Sequence, residues 1–261
     1  MSRSLDLVGP VAVVTGVSSG IGRAIAIGLA EAGANIAGVY IGDEGPANEV
    51  RAAIAELGRD SYIVVDDTGD PATHDRLAAE VLERWGSLDI WVNNAARLLV
   101  KPLIEMTDDD WHGLLAANLH GYFYGCRAAA KAMYPQGHGR IINVSSAVDV
   151  LAVANLSAYT TAKGGIVGLT RTVALEAAPY GVTVNAVAPG AVETPLNTEA
   201  YTAEVRATYE DRIPLNRIGV PEEIADVAVF MASTASRYMT GQQIVVDGGL
   251  VIDGTVGLAG S

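Results

Sequence analysis

The chain has 261 residues, half of them apolar, with 29 glycines and a formal net charge of −13. This composition is typical of a globular protein and excludes a disordered or fibrous one. There is no cluster of Lys and Arg and no apolar stretch of membrane-spanning length, so we expect neither a nucleic-acid nor a membrane partner. Cys126 is the only cysteine and no apolar leader precedes the first strand, so we expect a cytoplasmic protein.

Short apolar runs alternate with longer alanine-rich stretches. The runs predict seven strands, at Val11–Thr15, Asn35–Tyr40, Ser61–Val65, Ile90–Asn93, Arg140–Val144, Thr183–Val187 and Gln243–Val246. The alanine-rich stretches predict helices at 20–32, 46–57, 72–85, 108–134, 157–178 and 221–232. This alternation is typical of an α/β protein with a doubly wound (Rossmann) parallel sheet and helices on both faces.

The sequence has no linker or break in composition, so residues 1–261 are expected to form a single domain. Residues 190–220 interrupt the alternation after strand six and include a short helical stretch near 198–210. Because loops beyond the carboxyl edge of such a sheet often cover substrates, we expect this segment to be a small substrate lid.

A glycine cluster follows directly on the first strand, where Gly16, Gly20 and Gly22 open the first helix. Glycine allows a tight turn and lets a phosphate approach the backbone N–H groups of a helix N-terminus. The spacing is G-x-x-x-G-x-G rather than the more general G-x-G-x-x-G. A glycine pattern alone would also fit a structural turn, but its place between strand and helix predicts a dinucleotide-binding loop.

Tyr159 and Lys163 are four residues apart in a predicted helix and therefore lie on one face, one turn from each other. A nearby cation lowers the pKa of a phenol, which is about 10 when unperturbed. The pair could thus give and take a proton near neutral pH. A tyrosine packed on the core beside a surface lysine is the alternative at this point.

The glycine loop and the tyrosine–lysine pair together resemble the short-chain dehydrogenase/reductase family. Further segments match the family in order: NNAA at Asn93–Ala96 with Ala96 in place of the usual glycine, AANLHG, IINVSSAVD, NAVAPGAVETP and TGQQIVVDGG. The resemblance runs almost from end to end. It implies hydride transfer between a nicotinamide and a secondary alcohol or ketone.

The resemblance implies a catalytic set of Asn118, Ser146, Tyr159 and Lys163. Tyr159 would move the proton, Ser146 would hold the substrate oxygen, and Lys163 would lower the pKa of Tyr159 and bond the nicotinamide ribose. Asn118 would anchor a water, although it could also bond a backbone carbonyl at a helix bend. No metal site is expected, because the sequence lacks H-E-x-x-H and paired Cys and His ligands.

The cofactor contacts that the resemblance implies come from Gly16, Ser18, Ser19, Gly20, Ile21, Gly22, Tyr40, Asp67, Thr68, Asn94, Ala95, Tyr159, Lys163, Pro189, Gly190, Val192 and Thr194. Asp67 would bond the adenine amine or serve as a turn residue. Tyr40 stands where relatives that prefer NAD usually carry Asp. No Arg or Lys follows it, and Asp43 and Glu44 would repel a 2′-phosphate. We therefore expect NAD, with NADP left open because Arg23 is near.

Four polar residues near the predicted site are candidates for binding substrate together with Ser146: Arg97, Asp149, Asn155 and Glu193. Their mixture of donors and acceptors favours a small hydroxylated molecule such as a sugar or polyol. A 3-ketoacyl-carrier-protein reductase is the alternative enzyme, and a catalytically silent nicotinamide sensor is the alternative outside enzymes. By resemblance, we expect a homotetramer that pairs the helices at 108–134 and 157–178, with the last strand and the C-terminal tail forming a second contact.

Overall fold

The computed structural model describes residues 6–253. Its strands are β1 Val11–Thr15, β2 Asn35–Tyr40, β3 Ser61–Val65, β4 Ile90–Asn93, β5 Gly139–Val144, β6 Val182–Pro189 and β7 Gln243–Val246. Its α-helices are α1 Gly20–Glu31, α2 Glu44–Glu56, α3 Pro71–Trp85, α4 Asp108–Leu115, α5 Gly121–Gln136, α6 Ser157–Ala177, α7 Ala203–Arg212 and α8 Pro221–Ala232.

The seven strands form one parallel sheet in the order β3-β2-β1-β4-β5-β6-β7. The doubly wound fold predicted from the sequence is therefore confirmed. The order reverses between β1 and β4, and ligands of such sheets bind beyond the carboxyl ends of the strands at this point. The loops after β1, β4, β5 and β6 all open at that edge.

A buried apolar cluster lies on each face of the sheet. On one face, Val14 of β1 packs in a cluster with Ile25 of α1 and Ile224 of α8. On the other, Val13 packs in a cluster with Trp91 of β4. Neighbouring residues of one strand thus enter opposite cores, which explains why the strands read as continuous apolar runs.

Two helices differ from their prediction. The stretch predicted as one helix at 108–134 is interrupted by a π-helical turn at Ala116–His120, between α4 and α5. A π turn adds a residue to the helical repeat, and apolar periodicity does not reveal it. The stretch predicted near 198–210 forms α7, where the Thr202 side chain accepts a hydrogen bond from Val205 N and sets the helix start.

Within residues 6–253, no helix combines the length and the apolar character that a membrane crossing requires. Most of the C-terminal tail expected to join a subunit contact, residues 254–261, lies outside the described residues.

Candidate active site

A cavity of about 660 Å³ opens at the carboxyl edge of the sheet, beside the reversal in strand order. It brings together most of the residues predicted from the sequence: Gly16, Ser18, Ser19, Gly20, Ile21, Tyr40, Asp67, Thr68, Asn94, Ala95, Arg97, Ser146, Tyr159, Lys163, Pro189, Gly190, Val192 and Thr194. Gly22, Asn118, Asp149, Asn155 and Glu193 do not line it.

The glycine loop is fixed against the loop after β4. Gly16 has a φ of 68°, and a Cβ there would lie 2.9 Å from the Cα of Ala95, so the close approach requires glycine. The side chain of Asn94 donates to the carbonyl of Thr15 at 2.9 Å, and Thr15 Oγ1 accepts from Asn94 N at 2.9 Å. Asn94 therefore shapes the cavity by joining β1 to β4.

Three predicted catalytic side chains share one wall of the cavity. Lys163 is only 1% exposed, and its Nζ donates to the carbonyl of Val144 at 2.8 Å. The same nitrogen lies 5.5 Å from the centre of the Tyr159 ring. The side chain of Ser146 lines the same wall, close enough to lower the pKa of the Tyr159 phenol. The wall thus joins a phenol, a hydroxyl and an amine, the groups that a proton transfer to or from a substrate oxygen needs.

The protonation of this wall differs from the expectation that Lys163 lowers the pKa of Tyr159. Burial raises the pKa of Tyr159 to about 12, and the neighbouring side chain of Ser146 offsets this rise only in part. Burial also lowers the pKa of Lys163 to about 7, so at neutral pH the amine is a cation only part of the time. Loss of hydration by both groups outweighs their mutual effect. Tyr159 is therefore protonated at neutral pH and can act as a donor.

Asn118 lies in the π turn and is fully buried. Its side-chain amide donates to the carbonyl of Arg97 at 2.8 Å, and its side-chain oxygen accepts from Arg97 N at 2.8 Å. Asn118 therefore holds the loop after β4, whose residues Ala96 and Arg97 line the cavity. This is the backbone-bonding role at a helix bend that the sequence had left open.

The cavity fits a nicotinamide dinucleotide. Its glycine loop leads into the N-terminus of α1, where backbone N–H groups favour a pyrophosphate. Tyr40 Oη and Thr194 Oγ1 belong to lining residues and are buried without a hydrogen-bond partner among residues 6–253. Buried polar atoms without partners are costly, and a polar ligand in the cavity would satisfy them.

The charges at the adenosine end differ from the expectation in one respect. Asp43 directly precedes α2 without a side-chain hydrogen bond to the helix, and Glu44 pairs with Arg51 at 3.5 Å. Neither residue lines the cavity. The acids in the lining are instead Asp66 and Asp67, after β3. They lie in the lining because the carboxyl ends of parallel strands meet at one edge of the sheet.

Three of the expected substrate residues have other partners. Asp149 accepts a hydrogen bond from the side chain of Gln243 at 2.7 Å. Glu193 forms a bidentate ion pair with Arg206 of α7. The carbonyl of Asn155 accepts from Lys101 N at 2.9 Å. The side chains of Asp149 and Glu193 thus bond other elements of the protein, whereas the bond at Asn155 involves only its backbone. None of the three residues lines the cavity.

Sequence reasoning missed several residues of the lining, among them Val39, Ile41, Asp66, Gly69, Ala96, Gly113, Ala116, Ala117, Val144, Ser145, Pro195 and Asn197. Ala116 and Ala117 stand just before Asn118, and their small side chains were a signal of close approach. Tyr122, which does not line the cavity but contacts Lys163 behind its wall, was missed as well, although it follows Asn118 by four residues. Its hydroxyl accepts a hydrogen bond from Lys163 Nζ at 3.2 Å.

A family model described as enoyl-(acyl carrier protein) reductase matches residues 16–251 of the chain. The 3beta-hydroxysteroid dehydrogenase 1 of Eggerthella lenta is 37% identical over 95% of both chains. The 3-oxoacyl-[acyl-carrier-protein] reductase FabG of Thermotoga maritima is 38% identical over 95% of this chain and 100% of its own. A crystal structure of a putative gluconate dehydrogenase from Agrobacterium tumefaciens is 40% identical with a TM-score of 0.89, covering 95% of this chain and 98% of its own.

Proposed function

The chain belongs to the short-chain dehydrogenase/reductase family, and from this membership we propose that it interconverts a small hydroxylated substrate, a sugar or polyol, and the corresponding ketone with NAD. As a family member it is an NAD(P)-dependent oxidoreductase that interconverts a secondary alcohol and a ketone. The observation that carries the proposal is the wall where Ser146, Tyr159 and Lys163 meet in one cavity with the glycine loop.

The nicotinamide, when bound, supplies the hydride chemistry. The residues of this chain handle the substrate oxygen. Ser146 bonds that oxygen and orients it against Tyr159, and Tyr159 gives its proton to the oxygen of a ketone or takes it from an alcohol. When Tyr159 gives up its proton, the nearby Lys163 cation stabilises the phenolate. Because the pKa of Tyr159 is raised, ketone reduction is the direction for which the free protein is already protonated at neutral pH.

The substrate class rests on the charges of the lining. The bases that line the cavity are Arg97 and Lys163. The acids that line it, Asp66 and Asp67, follow β3, which is three strands away from β4 in the sheet. The exposed Arg97 lines the same cavity as Tyr159, and a guanidinium suits a hydroxyl-rich substrate, including one with a carboxylate. The structurally similar protein described as a putative gluconate dehydrogenase is in line with this class.

A carrier-protein reductase is the second candidate, because the Thermotoga maritima relative bears that name. Such an enzyme must grip an acidic carrier with surface bases. In this chain Lys131 is paired with Asp75 at 2.8 Å, and Tyr180, which stands where a base is common, stacks on Tyr134. Lys131 is thus already paired and Tyr180 carries no charge, while Arg127, whose guanidinium lies over the Phe123 ring, is the other base of α5. The loss of a base at Tyr180 favours the small substrate.

The test is a panel of sugars, polyols, aldonic acids and simple secondary alcohols, with a ketoacyl thioester as a further arm, each with NAD and with NADP. The proposal expects kcat/KM to be highest for a polyhydroxylated member. If the ketoacyl thioester had the highest kcat/KM, the carrier-protein reductase would replace the sugar or polyol enzyme as the proposed function. Binding of cofactor without turnover of any member would reject both.

The cofactor preference gives a prediction at Ile41, which lines the cavity just after β2 and is exposed. NAD is proposed because no base lines the cavity beside Tyr40 and Ile41 among the described residues. Ile41→Arg supplies a planar cation for a 2′-phosphate and should raise kcat/KM for NADP about ten-fold relative to NAD. Ile41→Gln, which adds a polar group without charge, is the control. A parent enzyme that already prefers NADP would contradict this assignment.

A second prediction concerns assembly. We propose that the subunit is a single domain, with the lid at 190–220 as part of it, and that four subunits form a homotetramer. Phe123 of α5 and Leu175 of α6 are exposed apolar side chains on the helices proposed to pair, and Tyr238 and Ile252 are exposed near the last strand. Light scattering at micromolar concentration should give four times the subunit mass of 27.0 kDa. Leu175→Glu should lower that mass, whereas a monomeric parent would refute the assembly.

A further inference from the structure

Tyr122 contacts the amine of Lys163 from a different helix. Lys163 Nζ donates to Tyr122 Oη at 3.2 Å and to the carbonyl of Val144 at 2.8 Å. Tyr122 Oη in turn donates to the same carbonyl at 2.9 Å. The three polar groups therefore close a triangle. We propose that Tyr122 is a positioning residue for the proposed reaction, holding the Lys163 amine beside Tyr159. This inference rests on the proposed function.

The triangle restrains a side chain that is otherwise free to move. Lysine has a flexible four-carbon stem and a compact ammonium that needs hydrogen-bond acceptors when buried. Val144 alone would leave Nζ able to turn about one bond, whereas two acceptors fix its position. The rings of Tyr122 and Tyr159 lie 5.1 Å and 5.5 Å from Nζ, so the amine lies between two aromatic rings. Both contacts favour the charged amine over the neutral one.

The packing of α5 brings Tyr122 to this place. Tyr122 is 1% exposed and lies in the first turn of α5, directly after the π turn that holds Asn118. Gly125 faces β4, and a Cβ there would collide with the side chain of Asn93, so glycine permits α5 to lie close against the sheet. From that position Tyr122 Oη reaches the last carbonyl of β5.

An acceptor at this point matters because the pKa of Lys163 lies near neutral pH, where small changes around the amine alter its charge. The titratable groups around the amine are Tyr159 on its own helix and Tyr122 on α5, with Cys126 behind Tyr122, and β5 contributes only the Val144 carbonyl. Burial lowers the pKa of Lys163 to about 7. The Tyr122 oxygen favours the ammonium, so its removal should lower that pKa further.

The direct test is Tyr122→Phe, with the Lys163 titration followed by NMR of ¹³C-labelled lysine in the free protein. The chain has three lysines, and Lys101 and Lys131 serve as internal references. We expect the Lys163 midpoint to fall by about one pH unit, so that the charged fraction at pH 7 drops from about a half to about a tenth. The references should not move. An unchanged Lys163 midpoint would overturn the inference, and this measurement needs no substrate.

The second readout is the pH profile for reduction of the ketone that corresponds to the best alcohol of the panel. The rate should fall as pH rises through the Lys163 midpoint, because a neutral amine no longer stabilises the phenolate of Tyr159. In Tyr122→Phe this fall in rate should occur about one pH unit lower. The kcat should then be about five-fold lower than in the parent at pH 7 and close to the parental kcat at pH 5. KM for the cofactor should change less than kcat. An equal loss of kcat at every pH would overturn the positioning role.

Two further variants keep this test decisive. Tyr124→Phe removes a hydroxyl from the same helix, where Tyr124 contacts His74 and Phe123 instead of Lys163, and it should leave the profile unchanged. Replacing Tyr122 with 3-fluorotyrosine keeps the shape and the hydroxyl but weakens the acceptor. Should Tyr122→Phe fail to fold, this replacement should still lower the Lys163 midpoint, and by less than the phenylalanine. No shift with 3-fluorotyrosine would then overturn the proposal.

Discussion

Tyr159→Phe is expected to lower kcat by about 10²–10⁴-fold while leaving the affinity for NADH nearly unchanged. The substitution removes the oxygen proposed to move the proton and keeps the ring that packs against the buried cluster of Leu114, Ala158 and Ala162. Ser146 and Lys163 remain in the wall but cannot give or take that proton in place of the phenol. Steady-state kinetics and NADH fluorescence titration measure the two quantities.

Tyr134→Phe is the control for this prediction. Tyr134 stacks on Tyr180 with ring centres 4.2 Å apart and is not part of the cavity wall, so its loss of a hydroxyl should leave kcat near that of the parent. Retention of half the activity by Tyr159→Phe would remove Tyr159 from the role of acid and base. A large loss of NADH affinity would assign it to cofactor binding instead.

Lys163→Ala should lower kcat by about 10²-fold or more and should also weaken NADH binding. The amine lines the cavity and lies over Tyr159, so its loss affects both the phenol and the bound nicotinamide. The side chain is fully buried with a pKa lowered by burial, so its charge is costly to the fold. Lys163→Met, which keeps the apolar stem, should therefore lose activity without losing thermal stability.

Lys131→Ala is the matched control, because Lys131 is an exposed lysine paired with Asp75 on the protein surface. It should change neither kcat nor NADH affinity. If Lys163→Met bound NADH as tightly as the parent, the role of Lys163 would be limited to the phenol. If it kept the parental kcat, the amine would have no role in proton transfer.

The strands and most helices could be read from the sequence because their signals are local. The predicted boundaries of β1 to β4 and β7 coincide with those observed, since buried parallel strands are bounded apolar runs. The meeting of Tyr159 and Lys163 at one wall of the cavity was also predictable, since the two residues are one helical turn apart. Such features depend on neighbours in the chain rather than on distant contacts.

The loops around the cavity could not be read in this way. Asp149 accepts a hydrogen bond from Gln243, 94 residues away in the chain, and Glu193 forms an ion pair with Arg206 of a separate helix. The chain offers no local pattern that distinguishes such partners from a substrate hydroxyl. The π turn at Asn118 and the reach of Tyr122 to β5 likewise depend on how α5 packs on the sheet. Isotope transfer can test the chemistry that all of these residues are proposed to serve.

The most direct test of that chemistry uses the best alcohol of the panel with deuterium on its carbinol carbon. The enzyme is incubated with this alcohol and NAD, and the reduced cofactor is examined by mass spectrometry. The account predicts that deuterium arrives on the nicotinamide ring in Tyr134→Phe as in the parent, and at least about 10²-fold more slowly in Tyr159→Phe. Reduced cofactor without deuterium, or equal transfer by Tyr159→Phe, would contradict it.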